Sequence, residues 1–324
     1  MEYRQMGQSG VRLSVIGLGS YLTIGFKLDE AASRQTVRTA YDAGINFFDT
    51  ANAYGAGEGE RVLGRCLAEY PRSSLFVITK VFAPMGPGPN DRGLSRKHVF
   101  EQCHASLRRL GMDYIDLYMC HRPDPQTPLD ETIRTLEDLA RQGKILYWGV
   151  SEWPAELICR GNGVARQIGA RTMSVNEPRY NLMYRYPEAQ VFPATAAEGM
   201  GNVIFSGLAH GVLTGKYRVG EEPPPGTRAA SDDTNMVLKR LYWGEENQRR
   251  AQEFARVARE MGTSPAVLAL AWCLRRPEVT SAIIGATRPA QILENVQAAS
   301  LAIPAEVLAR LDEIFPPPPG TAGS

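Results

Sequence analysis

Cysteine is scarce and scattered in this chain. Cys66, Cys103, Cys120, Cys159 and Cys273 are odd in number and form no C-x-x-C pair. That pattern indicates neither a thiolate zinc site nor a disulfide framework, and it fits a reducing cytoplasmic setting. Only four histidines occur, and lysine is rare. Neither sign of charge dominates: the net charge is +1 over 324 residues. Nothing therefore suggests nucleic acid or an anionic membrane as partner. No apolar run approaches the length of a membrane span, and Met1-Glu2-Tyr3-Arg4 lacks an apolar signal region. A nucleotide fingerprint is also missing. Gly17-Leu18-Gly19 begins like G-x-G-x-x-G, but Leu22 stands at the third glycine position.

What is present is ordinary in composition, with 44% hydrophobic and 22% charged residues. The length suits one barrel domain or two smaller ones. Residues 2–13 read as a small hairpin turning at Ser9-Gly10. After it, short apolar runs alternate with stretches of helical spacing. Strands are expected at 15–18, 45–48, 75–79, 115–120, 146–150, 172–175, 202–205 and 281–284. Helices are expected at 29–42, 58–69, 95–110, 128–141, 154–168, 188–198, 247–261 and 290–300. Eight such units predict an α/β fold with a parallel sheet closed as a (β/α)8 TIM barrel. The barrel is expected to fill residues 1–324 as a single domain, with a frayed tail over 316–324. Two insertions stand out. Residues 207–246, with Pro223-Pro224-Pro225-Gly226, read as a long loop after the seventh strand, and 264–275 as an extra apolar helix.

In such barrels chemistry sits at the C-terminal ends of the strands. Asp49, Lys80 and His121 each follow one of three successive predicted strands, and Tyr54 lies in the loop after the first. Lys80 closes an apolar strand, where an unpaired ammonium is costly. Asp49, one strand over, is the candidate partner. Lys80 beside Tyr54 is expected to lower the phenol's pKa and make it a proton donor near neutral pH. His121 is placed to donate a hydrogen bond to the same carbonyl oxygen. The set suits protonation of an oxygen and contains no metal triad. His98 and His104 fall on a helix away from the strand ends, while His210 sits near the expected mouth, there to contact a ligand or face solvent. A hydrolase using Asp49 and Glu177 as paired carboxylates is an alternative on the same residues.

The motifs resemble those of the aldo-keto reductases, closest to the voltage-gated potassium channel β-subunit-like branch and its bacterial relatives. Phe48-Asp49-Thr50-Ala51-Asn52-Ala53-Tyr54-Gly55 matches the family block FDTAxxYG, and Val77-Ile78-Thr79-Lys80 matches ITTK. GLSRKH stands at Gly93 to His98, YWGxS at Tyr147 to Ser151 and GxxxGKY at Gly211 to Tyr217. The RPDPxTP block begins at Arg122, and GAxxxxQxxEN spans Gly285 to Asn295. The resemblance covers nearly the whole chain. It implies a cytoplasmic NADPH-dependent carbonyl reductase acting on a small molecule, tetramer-like if oligomeric. The implied tetrad is Tyr54 as general acid, Lys80 tuning it, Asp49 anchoring Lys80, and His121 orienting the carbonyl. Channel β subunits often carry Asn in place of that histidine, so His121 favours the enzyme. The alternative it leaves is a redox-sensing or channel-associated nucleotide-binding protein with little turnover.

By the same resemblance, Ser20, Tyr21 and Asp49 lie near the nicotinamide end of the cofactor. Ser151 and Glu177 flank its carboxamide, and Phe205 stacks on the ring. Ser206, Leu208, Lys216 and Arg228 hold the pyrophosphate. Gly285, Thr287, Arg288, Gln291, Glu294 and Asn295 hold the adenosine end. Three positions depart from the family pattern: Glu177 replaces Gln, Glu152 replaces Asn or Arg, and Gly207 replaces Pro. NADPH is expected over NADH, because the helix starting near Pro289 offers free N–H groups, with Thr287, Arg288 and Gln291 beside them. The substrate pocket is expected to use Tyr21, Tyr54, Phe82, His121, Trp153 and the 207–246 loop with Trp243. Lys27, Arg122 and Arg185 are the candidates for reading an anionic or sugar substrate.

Overall fold

Alternate residues of the short apolar runs face opposite ways, and this builds two hydrophobic layers. In the computed structural model, which describes residues 1–231 and 235–319, Phe48 packs outward against the helices while its neighbour Phe47 points into the barrel. A two-stranded antiparallel hairpin, β1 (Tyr3–Gln5) and β2 (Arg12–Ser14), comes first. The barrel strands follow as β3 (Ile16–Gly19), β4 (Phe47–Asp49), β5 (Phe76–Val81), β6 (Ile115–Cys120), β7 (Ile145–Ser151), β8 (Val175–Glu177), β9 (Gly201–Ile204) and β10 (Val279–Ile284). All eight pair in parallel, and β10 closes on β3. This is the (β/α)8 architecture the alternation predicts.

The interior is plugged at its N-terminal end. Phe47, Phe76, Ile78, Leu117, Met119, Val175 and Val203 fill it, and Met6 and Leu13 of the hairpin region join them. Gly17 makes room for that plug, since a Cβ there would lie 2.0 Å from the Phe47 ring. Among the described residues, the cavity lies at the opposite, C-terminal end of the barrel.

Helices α1 (Glu30–Asp42), α2 (Glu58–Leu67), α3 (Arg96–Leu110), α4 (Leu129–Arg141), α5 (Ala155–Gln167) and α6 (Val191–Ala197) alternate with the strands. Their starts follow the capping chemistry. Asp29 accepts from the Ala32 N–H, and Ser95 accepts from that of His98. Later come α7 (Met236–Tyr242), α8 (Glu245–Glu260), α9 (Pro265–Leu274), α10 (Pro289–Asn295) and α11 (Ala305–Ile314). The extra helix expected at 264–275 is α9, capped by Ser264.

Several boundaries differ from the sequence reading. β5 runs on to Val81, so Lys80 lies inside the strand. β8 lies at 175–177 instead of 172–175, because Asn176 and Glu177 keep the ladder with β7. The 207–246 segment is not simply a loop. It holds a 3-10 turn at Ala209–Thr214 and α7, while residues 232–234 lie outside the described residues. The helix expected at 188–198 breaks into a 3-10 turn, Tyr186–Glu188, and α6, with Pro187 and Pro193 limiting both. The helix expected at 290–300 ends at Asn295 and passes into a 3-10 turn. α11 has no counterpart in the sequence pattern, although its Leu311 and Ile314 are buried. In the expected frayed tail, 316–319 have no regular structure, and 320–324 lie outside the described residues.

Candidate active site

Asp49 ends β4, Lys80 is the last residue but one of β5, and His121 directly follows β6. Strand register therefore brings the three to one end of the barrel. Tyr54 opens a 3-10 turn in which Gly55 and Ala56 take left-handed backbone, at φ 56° and 52°. The Tyr54 ring lies 5.0 Å from that of Tyr21 and meets the His121 ring edge-on at 5.7 Å. The Lys80 Nζ sits 5.5 Å from the Tyr54 ring centre.

Lys80 is wholly buried. Its ammonium donates to Asp49 Oδ2 and, at 3.2 Å, to the Thr50 carbonyl oxygen. Glu177 Oε2 approaches the same nitrogen at 3.3 Å without hydrogen-bond geometry, and that buried oxygen has no other partner. One ammonium thus faces two buried carboxyls. Burial pulls the Lys80 pKa down, but Asp49, Glu177 and Tyr54 outweigh it and hold the ammonium above its ordinary value. Burial raises the Asp49 carboxyl, opposed by Lys80. Glu177 yields most plainly: burial, then Asp49, push it up to about 8 against the pull of Lys80.

The expected lowering of the Tyr54 pKa is not what the geometry gives. Burial raises the phenol above its ordinary value, and Asp49 and Glu177 add to that. Lys80 acts in the expected direction but is outweighed. Tyr54 is therefore held protonated at neutral pH, with Lys80 the one neighbour that eases its ionisation. Burial, Lys80 and Arg122 hold His121 far below its ordinary value, so its ring is neutral.

These groups form the wall of a cavity of about 670 Å³, which also takes in Tyr21, Asp49, Ser151, Glu177, Phe205, Ser206, Leu208, Lys216, Arg228, Gly285, Thr287, Arg288, Gln291, Glu294 and Asn295. The size and the mix of aromatic and charged walls suit a small-molecule ligand. Lys80 and Ser20 stand behind the wall: Lys80 is covered, and the Ser20 hydroxyl donates to Thr50 Oγ1 at 2.8 Å. At the far end positive charge accumulates. Burial and the nearby Arg228, Arg288 and Lys27 push the Lys216 ammonium below its ordinary value. Such a cluster suits a polyanion.

The loop after β9 that carries this end has an unusual backbone. Ser206, Ala209 and His210 take φ of 59°, 47° and 56°, followed by Gly211 at 94°. His210 does contact the cavity. Its ring bonds Ser206 Oγ at 3.1 Å and Arg228 Nη1 at 2.8 Å, and burial with Arg228 lowers its pKa to about 3. His98 is buried in α3 and takes no part in the cavity wall.

Other expected contacts fall elsewhere. Trp153 is buried in the outer core, and Phe82 packs against that core. Trp243 meets Tyr217 edge-on at 5.2 Å. Arg185 is structural: it bonds Glu188, Asp312 and the Phe315 carbonyl. Aromatic or charged character alone suggests these four, and core packing claims them. The N–H groups before α10 are also occupied, because Gln291 Oε1 accepts from Thr287 N at 2.8 Å and from Arg288 N at 3.3 Å. Lys27 and Arg122 do line the cavity. Arg179 and Arg240 line it too, and the sequence reading missed both. Arg179 stands two residues past the end of β8, a strand-end signal obscured by the misplaced strand.

Asp49 and Glu177 do not offer a free carboxylate pair for hydrolysis, since Asp49 is tied to the Lys80 ammonium. Among the described residues no helix is long and apolar enough to cross a membrane. The family model described as "Aldo/keto reductase family" matches residues 15–315. Relatives described as "Probable voltage-gated potassium channel subunit beta" occur in Arabidopsis thaliana and Oryza sativa subsp. japonica. They are 39% and 40% identical, each over 92% of this chain and 91% of the relative. A "Putative voltage-gated potassium channel subunit beta" of Schizosaccharomyces pombe is 37% identical over 97% of this chain and 93% of its own length. The chain belongs to the Aldo/keto reductase family and is, by that membership, an oxidoreductase.

Proposed function

We propose that the protein is an NADPH-dependent carbonyl reductase that converts a small aldehyde or ketone to an alcohol. The observation that carries this reading is one cavity with two unlike ends. Tyr54 and His121 line it over the buried Asp49–Lys80 pair, and Lys216, Arg228 and Arg288 line it elsewhere. The aromatic Phe205 and Tyr21 walls and the cationic end fit the ring and phosphates of a nicotinamide dinucleotide. When bound, that cofactor's chemistry is hydride donation to a carbonyl carbon.

The chain's own residues supply the rest. Tyr54 holds the proton for the carbonyl oxygen, and its raised pKa keeps that proton in place until charge develops on the substrate. Lys80 favours the phenolate once the proton has left. Asp49 keeps the ammonium in place, and removing it would cost the buried cation its hydrogen-bonded carboxylate. The neutral His121 ring is suited to hydrogen-bond the carbonyl oxygen. Arg288 is the candidate for the 2′-phosphate, through its guanidinium rather than through the N–H groups that Gln291 occupies. The buried, unpaired cysteines suit a reducing cytosol.

The relatives' names point to channel association, and with the same cavity that gives a second reading: a channel-associated nucleotide sensor with little turnover. NADPH consumption with a reactive aldehyde separates the two. Steady turnover supports the reductase; tight binding without turnover supports the sensor.

A further inference from the structure

Glu177 is the feature that the reductase reading leaves unexplained. It is 4% exposed, lies at the end of β8 and lines the cavity floor. Its backbone is fixed, because the carbonyl oxygen accepts from Ser151 Oγ at 3.0 Å and from Glu152 N at 3.2 Å. Its Oε2 is buried without a hydrogen bond, 3.3 Å from Lys80 Nζ. An ammonium has three donors. One goes to Asp49 and one to the Thr50 carbonyl, leaving a single N–H, with Glu177 Oε2 at 3.3 Å and the Tyr54 ring centre at 5.5 Å as its neighbours.

We infer that Glu177 is a positioning residue that works as a neutral carboxylic acid, keeping Lys80 with Asp49, leaving the third N–H for Tyr54, and sparing the cavity floor a second negative charge. The inference rests on the nucleotide-dependent reading of the cavity. An ionised Glu177 would draw the ammonium away from the phenol and would repel a polyanionic dinucleotide. The groups facing it are Asp49 on β4, Tyr54 in the turn after it, Lys80 on β5 and Arg122 after β6, with His121 on the same cavity wall. Glu152 and Arg179 flank it, paired with each other at 3.4 Å. Of these, Asp49 raises its pKa while Lys80 and Arg122 lower it, and burial leaves it at about 8.

The first test needs no cofactor. Infrared difference spectra between pH 6.5 and pH 9.5, taken on ligand-free protein, should show a protonated carboxyl band that disappears with a midpoint near 8. The band should be missing in Glu177→Gln and kept, at a shifted midpoint, in Glu177→Asp. No titrating band in the wild type, or the same band in Glu177→Gln, overturns the inference. The second test is the NADPH dissociation constant against pH. If only the neutral acid binds, it should rise about thirtyfold between pH 7 and pH 9.5 in the wild type, against about twofold in Glu177→Gln. Equal rises in the two proteins overturn the positioning role. Failure of NADPH to bind at every pH would instead sink the reductase reading, while the infrared bands would still decide whether Glu177 carries the proton.

Discussion

At the scale of single residues, the site is governed by what burial does to charge. Tyr54→Phe removes the proton donor and leaves the cavity wall in place. The expected outcome is a loss in kcat of about 10²- to 10⁴-fold. Lys80→Met should be damaging in two ways, since it untunes Tyr54 and strands Asp49. A buried carboxylate without its partner costs about 3–5 kcal/mol. Chemical denaturation should show that loss, and Lys80→Met with Asp49→Asn should lose less than the sum of the two changes. An additive double variant would contradict the pairing. Glu177 gives a sign test for stability. Its folded pKa of about 8 lies above the unfolded value of 4.5. The folded state thus holds a proton that the unfolded state lacks between these values, and stability drops as pH rises through that window. Glu177→Gln should raise Tm more at pH 9 than at pH 5, by about 5 °C. Equal gains at both pH values would mean that Glu177 is not the group titrating.

At the scale of elements, the loop after β9 holds the cationic end of the cavity. Its run of left-handed residues at Ser206, Ala209, His210 and Gly211 is held by the Ser206–His210–Arg228 chain of hydrogen bonds. His210→Ala should remove one hydrogen bond that orients Arg228 and weaken the dinucleotide about tenfold, close to the 1.4 kcal/mol of one good hydrogen bond. Titration calorimetry would measure it, and an unchanged dissociation constant would remove His210 from the account. Element positions were legible where apolar runs were clean: the 115–120 strand is reproduced, and the helical stretches expected from 29, 95 and 264 do begin there, where the structure shows Asp29, Ser95 and Ser264 as N-caps. They were less legible where chemistry interrupts a strand. Lys80 and Glu177 read as strand terminators because charge seldom stays in a buried strand. Here Asp49 pairs with Lys80, so β5 continues through the lysine to Val81, and burial holds Glu177 as the uncharged last residue of β8. The pH behaviour of Tyr54 was illegible for the same reason, because the sequence shows the lysine beside it but not the depth of burial.

At the scale of the whole molecule, the barrel separates stability from function along its axis. The hairpin and the Phe47-centred plug fill the N-terminal end, and the polar residues gather at the other. The eightfold alternation made this arrangement readable, since strand-end chemistry follows from the topology. α11 escaped notice because no strand follows it to complete the pattern. Gly17→Ala tests the plug rather than the site. Its Cβ would fall 2.0 Å from the Phe47 ring, so overpacking should cost about 1–3 kcal/mol. Wild-type stability in that variant would show that the plug yields easily.

The central claim is that Tyr54 delivers the proton in a nicotinamide-dependent carbonyl reduction. It is tested most directly by single-turnover oxidation of bound NADPH on mixing with a reactive aldehyde, in wild type and in Tyr54→Phe at matched cofactor saturation. The account predicts rapid oxidation in the wild type, and at least about a hundredfold slower oxidation in a variant that still binds NADPH within about twofold of normal. Equal rates in the two proteins would contradict it.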